Sequence, residues 1–339
     1  MVEAQTWGSR PPPPPPPAVP LPRFAGEDRV LVIKLSALGD VVMALAAMRR
    51  IREAHPEAEI TALTTSAYGP LIGASPYVDR VETDGRPEGL PSTLAMLRRV
   101  RRTRYDRIYD LQTSSRSSAY FQALRPAAPS WSGIAAGCAF PHRNPERNRM
   151  HTLERQADQL KDAGVWPDAP TAPGTAPPPD LSWLIDAGAP ARFGLTSPYA
   201  VLVPGGSAHR PEKRWPAQRY AALAEALAAR GLQPVVLGGP AERELAAAIP
   251  ATIDLTGRTS FADIASLGAG AALAVGNDTG PSHLLAAAGA PLLTLFSGAS
   301  DPARTAPRGP AAISLQRADL ASLQVSEVLD TLDRLRPTA

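Results

Sequence analysis

The chain has 339 residues, 44% of them hydrophobic, enough apolar material for two domains with separate cores. Its formal charge of only +3 argues against a dedicated nucleic-acid binder. Its single cysteine, Cys138, excludes an internal disulfide, suits a reducing compartment, and reads as a small loop residue because no motif surrounds it.

Residues 1–27 do not form a signal peptide, since they carry Glu3, lack an apolar core and run into seven prolines, Pro11 to Pro17. Such a run favours an extended polyproline helix, and the segment reads as an extended or disordered tail, an inert extension before a partner-binding one. No run of about 18 apolar residues follows, so no spanning helix is expected.

From Arg29 the chain alternates between short apolar runs and amphipathic stretches. Arg29–Lys34 predicts a buried strand, and Asp40–Ala54 a helix with Val41, Leu45, Met48 and Ile51 on one face. Glu59–Leu63 predicts a strand, Pro91–Arg104 a helix and Asp106–Leu111 a strand. Prolines crowd Trp166–Ser182, which reads as a linker. Alternation then restarts with strands at Tyr199–Val203, Pro234–Leu237, Ala271–Val275 and Pro291–Phe296. Helices are predicted at Pro216–Arg230, Ala241–Ala248, Phe261–Leu267, Pro281–Ala288 and Leu323–Leu335. The expected division is a tail 1–27, an α/β unit 28–165, a linker 166–195, a second α/β unit 196–322 and a C-terminal helix 323–339. Each unit predicts a parallel sheet with covering helices, and a ligand cleft beyond the carboxyl ends of the strands.

Four loops after strands carry candidate chemistry. In Lys34–Asp40 a glycine precedes an acid at a helix start. Asp40 reads there as a helix cap, or as a carboxylate facing the cleft and acting as general base. In Val203–Pro216 small residues let backbone N–H groups approach a phosphate, Ser207 offers a hydroxyl and Lys213 a point charge. A glycine-rich turn before a solvated basic stretch explains that loop equally well. In Gly238–Glu242 the acid at Glu242 suits ribose hydroxyls, or merely the helix start. The sharpest is Gly276–His283, where a proline enters an Ala-rich helix. The N–H groups of Thr279 and Gly280 there form an anion site, with Asp278 and His283 at the same mouth.

Six arginines, Arg98, Arg99, Arg101, Arg102, Arg104 and Arg107, cluster on and after a helix whose apolar face is assigned to Leu90, Leu94, Leu97 and Val100. The cluster reads as a solvated face, or as a patch drawn to anionic lipid or a polyanionic acceptor. With no Cys/His cluster, no HExxH and no D-x-D, the sequence offers no metal site, and none is expected. A departing diphosphate would then rest on basic groups and helix termini.

Four ordered blocks, IKLSALGDVV, DLQTSSRS, PGGSAHRPEKRWP and GNDTGPSHLLAA, resemble glycosyltransferase family 9, the ADP-heptose:lipopolysaccharide heptosyltransferases, from Arg29 to about Arg308. The resemblance implies a GT-B fold, two Rossmann-like domains with parallel sheets facing a central cleft. It also implies a metal-independent, inverting transfer of a sugar, heptose from ADP-heptose, to a lipopolysaccharide-core or related glycan, with no cofactor. Asp40 matches the family's catalytic base. Lys213 matches the lysine on the donor phosphates, Ser207 a helping hydroxyl, and Glu242 an acid near the ribose. Asp278, Thr279, Gly280 and His283 match the signature for the donor's sugar and diphosphate. Gly39, Gln112 and Arg116 are expected to face an anionic, lipid-linked acceptor. The family's usual proline after the Gly-Asp pair is replaced by Val41-Val42-Met43-Ala44. The implied location is cytoplasmic, with peripheral contact at the inner face of the inner membrane. The alternatives are a GT-B-fold sugar-nucleotide epimerase and a non-catalytic nucleotide-sugar-binding partner.

Overall fold

The structure, a computed structural model, describes residues 26–195, 198–206, 209–249 and 252–335. Its first half runs β1 (Arg29–Ile33), α1 (Leu38–Ala54), β2 (Glu59–Leu63), α2 (Gly69–Gly73), β3 (Arg80–Glu82), α3 (Gly89–Thr103), β4 (Arg107–Asp110), α4 (Ser115–Leu124), β5 (Ser130–Gly133), β6 (Phe140–Pro141) and α5 (Thr152–Asp162). After the connecting stretch and α6 (Ala189–Arg192) come β7 (Tyr199–Val203), α7 (Ala217–Ala229), β8 (Gln233–Val236), α8 (Arg243–Ala247), β9 (Ile253–Asp254) and α9 (Phe261–Gly270). The chain continues through β10 (Leu273–Asn277), α10 (Gly280–Ala287), β11 (Leu292–Phe296), α11 (Pro302–Thr305), β12 (Ala312–Gln316) and α12 (Val325–Leu335).

Two six-stranded sheets result, ordered β3-β2-β1-β4-β5-β6 and β12-β11-β10-β7-β8-β9, with parallel pairing throughout. Counted within its own half, each sheet has the same 3-2-1-4-5-6 strand order, the doubly wound Rossmann topology. The central strands are near-continuous apolar runs because helices cover both faces; β7 and β11 are buried at every position. The order reverses between β1 and β4 in one sheet and between β7 and β10 in the other. Crevices at such reversals are where open α/β sheets take ligands. The two halves pack together, with one buried cluster joining Val42 and Leu45 of α1 to Leu284 and Leu285 of α10. This is the GT-B arrangement. The last helix, α12, lends Val328 and Leu332 to the core of the second half.

Local differences from the sequence reading have local causes. The short strands β3, β5, β6 and β9 lack a periodic signal, and β12 pairs only along its edge of the sheet. The helix predicted at Ala241–Ala248 is a 3-10 turn at Pro240–Glu242 followed by α8, because the Glu242 carboxylate folds back onto Gly239 N at 2.7 Å. Residues 1–25, including the prolines, lie outside the described residues, but Glu27 is not part of a free tail: its carboxylate meets Arg107 at 2.9 Å. Cys138 is buried, with its thiol pushed up by burial.

Candidate active site

The first half contributes the loop from β1 to α1. Leu35 N and Ser36 N both donate to Gln112 Oε1, at 2.9 and 3.2 Å, so the β4 loop holds the β1 loop. Ser36 Oγ accepts from the Arg86 guanidinium. Asp40 sits in the first turn of α1, where the helix dipole favours a carboxylate, and Ala37 N approaches its Oδ2 at 3.4 Å. That long contact leaves capacity on the half-buried carboxylate, so the cap and the cleft-facing base are compatible. Beneath the loop lie two buried charges absent from the sequence-derived site. Burial pulls the Lys34 ammonium below the ordinary lysine range, opposed by Asp40 and Asp110. Burial pushes Asp110 up to about 6, against hydrogen bonds from Ser117, Thr113 and Gln112.

The second half brings together the loops after β7, β8 and β10. Asn277, fully buried, ties the loop after β7 to the end of β10: its amide donates to Pro204 O at 2.8 Å and Gly205 O at 3.1 Å. Its oxygen accepts from Trp215 N and Tyr220 Oη, both at 3.1 Å. Glu242 packs on the same loop, since a Cβ at Gly205 would lie 2.8 Å from its Cγ. Lys213 Nζ meets Asp278 Oδ2 at 2.7 Å, with both side chains largely shielded. Thr279 is the N-cap of α10 and its side chain makes no capping bond; Pro281 has no N–H and Ser282 N donates to Thr279 O at 3.1 Å, so the capacity for an anion at this helix start rests on the N–H groups of Thr279 and Gly280.

The two helix starts cross. A Cβ on Gly39 would lie 2.5 Å from His283 Cδ2, and one on Gly280 would lie 2.6 Å from Leu38 Cβ. Only glycine permits this approach. His283 is 5% exposed, with Nδ1 unpartnered among the described residues. Burial drives its imidazole down to about 4, opposed by Asp278 and Asp40 from either side. A second link crosses nearby: His151 Nε2 donates to Ala306 O at 2.9 Å while its Nδ1 accepts from Leu153 N. Glu154, buried behind it, accepts from Gly174 N and Ala176 N, and against the effect of burial His151 and Arg308 hold its carboxyl down at about 2.

The structure thus gathers Gly39, Asp40, Lys213, Asp278, Thr279, Gly280 and His283 at one cleft, with Glu242 on the adjoining loop. Gln112 lies in the same place, but its oxygen is committed to the β1 loop. Arg116 is exposed on the first turn of α4. Ser207 lies outside the described residues. Among the described residues there is no group of three or more His, Cys, Asp or Glu side chains placed for a metal.

The sequence reading of α3 is corrected in two ways. Its buried face is Met96 and Val100 with Leu97 beside them, whereas Leu90 and Leu94 stand in solvent, 69% and 39% exposed. Arg107 is buried in β4, and Arg99 pairs with Glu82 and Asp84, which leaves Arg98, Arg101, Arg102 and Arg104 exposed. Lys34, Asn277 and His151 also stand at the cleft; the first two lie inside the quoted motifs, while the stretch around His151 carries no periodic signal.

The model of glycosyltransferase family 9 (heptosyltransferase) matches residues 93–330. The chain is 28% identical over 316 residues to lipopolysaccharide heptosyltransferase 2 of Escherichia coli (strain K12), covering 82% of this chain and 85% of that protein. The solved E. coli ADP-heptose lipopolysaccharide heptosyltransferase II superposes with a TM-score of 0.75 at 25% identity, covering 91% of this chain and 98% of that one. E. coli heptosyltransferase WaaC with ADP gives 0.69 at 22% identity, covering 91% and 100%, a likeness of fold. The family match spans more than half of the chain and takes in three of its four site loops, and the chain belongs to glycosyltransferase family 9.

Proposed function

We propose that this glycosyltransferase moves heptose from ADP-heptose to a lipopolysaccharide-core or related anionic glycan, by direct displacement with inversion. The observation that carries the reading is the crossing of α1 and α10, which sets a carboxylate from one half against an anion-binding helix start from the other. In this scheme the donor lies on the second half, its diphosphate toward the α10 start and Lys213, its ribose toward Glu242. The acceptor lies on the first half. Asp40 takes the proton of the attacking hydroxyl, the new C–O bond forms at the anomeric carbon, and ADP leaves with the electron pair of the broken bond. Lys213 and the N–H groups of Thr279 and Gly280 meet the charge that develops on the leaving phosphate. The relatives named as heptosyltransferases favour this over the epimerase and non-catalytic readings. The unit 28–165 serves as acceptor domain and 196–322 as donor domain, joined by the linker 166–195.

The test is calorimetric titration with ADP-heptose, other ADP- and UDP-sugars and bare ADP, without added metal. Tight binding of ADP-heptose, lost in Lys213→Ala, supports the donor assignment; preference for a UDP-sugar overturns it. No described helix is long and apolar enough to cross a membrane. A peripheral contact through exposed Leu90 and Leu94 with the arginines that follow on α3 fits an acceptor presented at an anionic lipid surface.

A further inference from the structure

Asp110 closes β4, the strand that pairs with β1 where the first sheet reverses its order, and it is fully buried. Its Oδ1 accepts from Thr113 N at 2.9 Å and from Gln112 N at 3.1 Å. From α5, Gln159 Nε2 donates to the Asp110 carbonyl oxygen at 3.0 Å. Lys34 donates to Leu111 O at 3.4 Å, and its charge favours the ionised carboxylate. The two N–H bonds to Oδ1 fold the chain into a tight turn in which Thr113 takes a φ of 44°. A β-branched residue stays in that left-handed region only where its surroundings hold it there.

The turn aims Gln112 at the loop after β1, where its Oε1 takes two successive N–H groups, Leu35 N and Ser36 N. From the β2 side Thr65 Oγ1 donates to Leu35 O at 3.2 Å, so the same peptide is gripped from both neighbouring strands. The next residue, Ala37, is the N-cap of α1, and its N–H is the one that approaches Asp40 Oδ2. Ser36 is only half-buried, so water can satisfy its N–H without Gln112. What water does not supply is a fixed direction, which an oxygen shared by two adjacent N–H groups gives to the backbone.

We propose, on the reading of Asp40 as the base, that Asp110, Thr113 and Gln112 are positioning residues for Asp40 and act in series. The Asp110 carboxylate holds the turn at Thr113, the turn aims the Gln112 oxygen, and the oxygen fixes the backbone from which α1 and Asp40 start. Gln112 then serves the base and not the acceptor, and its loss affects turnover and not binding.

The experiment measures transfer from ADP-heptose to de-O-acylated lipopolysaccharide core, ADP affinity and urea midpoints. The proteins are wild type, Asp40→Asn, Gln112→Leu, Gln112→Glu, Asp110→Ala and the double variant Asp110→Ala/Gln112→Leu. Gln112→Leu keeps the bulk without the oxygen, and its kcat is expected to fall about 10- to 100-fold, with acceptor KM and ADP affinity within about twofold of wild type. Gln112→Glu restores the oxygen and is expected to recover most of kcat. Asp110→Ala is expected to lower kcat likewise, and the double variant no further than the worse single, because the residues act in series. Where Asp110→Ala does not fold, the two Gln112 variants decide alone. A raised acceptor KM with kcat intact in Gln112→Leu makes Gln112 an acceptor contact and overturns the proposal. A lower urea midpoint with kcat unchanged overturns it too, as does Gln112→Glu no more active than Gln112→Leu. A slow Asp40→Asn beside a fully active Gln112→Leu overturns this proposal alone, whereas wild-type turnover by Asp40→Asn overturns the base reading and the proposal with it.

Discussion

Gly39 and His283 touch across the cleft: the glycine of the Gly-Asp pair leaves room for the imidazole on the first turn of α10, and a methyl group there would stand 2.5 Å from its Cδ2. Leu38 and Gly280 repeat the contact one step away. In the proposed scheme the distance from Asp40 to the donor is therefore set by two glycines. Gly39→Ala is expected to force α1 from α10, costing about 1–3 kcal/mol of stability. A shift of about 1 Å at the reacting groups lowers turnover about 100-fold. Thermal unfolding and kcat measure the two effects; an unchanged kcat would mean that the crossing does not set the reaction geometry.

Lys213 and Asp278 form a shielded ion pair at 2.7 Å. Lys213→Met removes the charge proposed to meet the donor phosphates and strands Asp278. Breaking such a pair costs about 3–5 kcal/mol when it is fully buried, and less here, where solvent reaches both groups. Lys213→Met/Asp278→Asn is expected to recover much of the lost stability but none of the donor affinity. Urea unfolding and ADP calorimetry separate the two losses, and recovery of ADP binding in the double variant would contradict the role of Lys213.

Stability is expected to fall in acid through His283. An unfolded histidine protonates near 6.5, whereas folded His283 resists protonation down to about 4. Between those values the unfolded state binds the extra proton, so the contribution is fully present above about 6.5 and is lost as pH drops toward 4. His55, also held at about 4 by burial, acts in the same direction, while Asp110, raised to about 6, acts in the opposite one. His283→Gln isolates one group: its stability should decline less than wild type between pH 7.5 and 5, by about 2 kcal/mol. Equal declines in urea midpoints would show that His283 is not shielded.

Leu90 and Leu94, exposed at the start of α3, with Arg98, Arg101 and Arg102 following, predict binding to vesicles of anionic phospholipid and little to neutral ones. Leu90→Ser/Leu94→Ser should reduce sedimentation with anionic vesicles several-fold while leaving ADP affinity unchanged. Salt should weaken what remains. Equal sedimentation of wild type and variant would remove α3 from the contact.

Much of this was legible in the chain. The strands β2 and β7 fall where apolar runs place them, and the loops that meet at the cleft are those after β1, β4, β7, β8 and β10. Strong periodicity and glycines at strand ends carry such information. The face of α3 was misjudged because Leu90, Leu94 and Leu97 have helical spacing whether they meet a core or water; only the packing of Met96 and Val100 decides. Gln112 spends its oxygen on Leu35 N and Ser36 N, partners 77 and 76 residues away in sequence that no local spacing foretells. Lys34 reads as an ordinary strand end, and only the sheet packing buries it.

The most direct measurement is transfer of heptose from ADP-heptose to de-O-acylated lipopolysaccharide core by wild type and Asp40→Asn, with ADP binding measured on both. The account predicts inverted product from wild type, kcat lower by about 100- to 10,000-fold in the variant, and ADP affinity nearly unchanged. Transfer by Asp40→Asn at the wild-type rate, or equal losses in turnover and ADP binding, would contradict the assignment of Asp40 as the base.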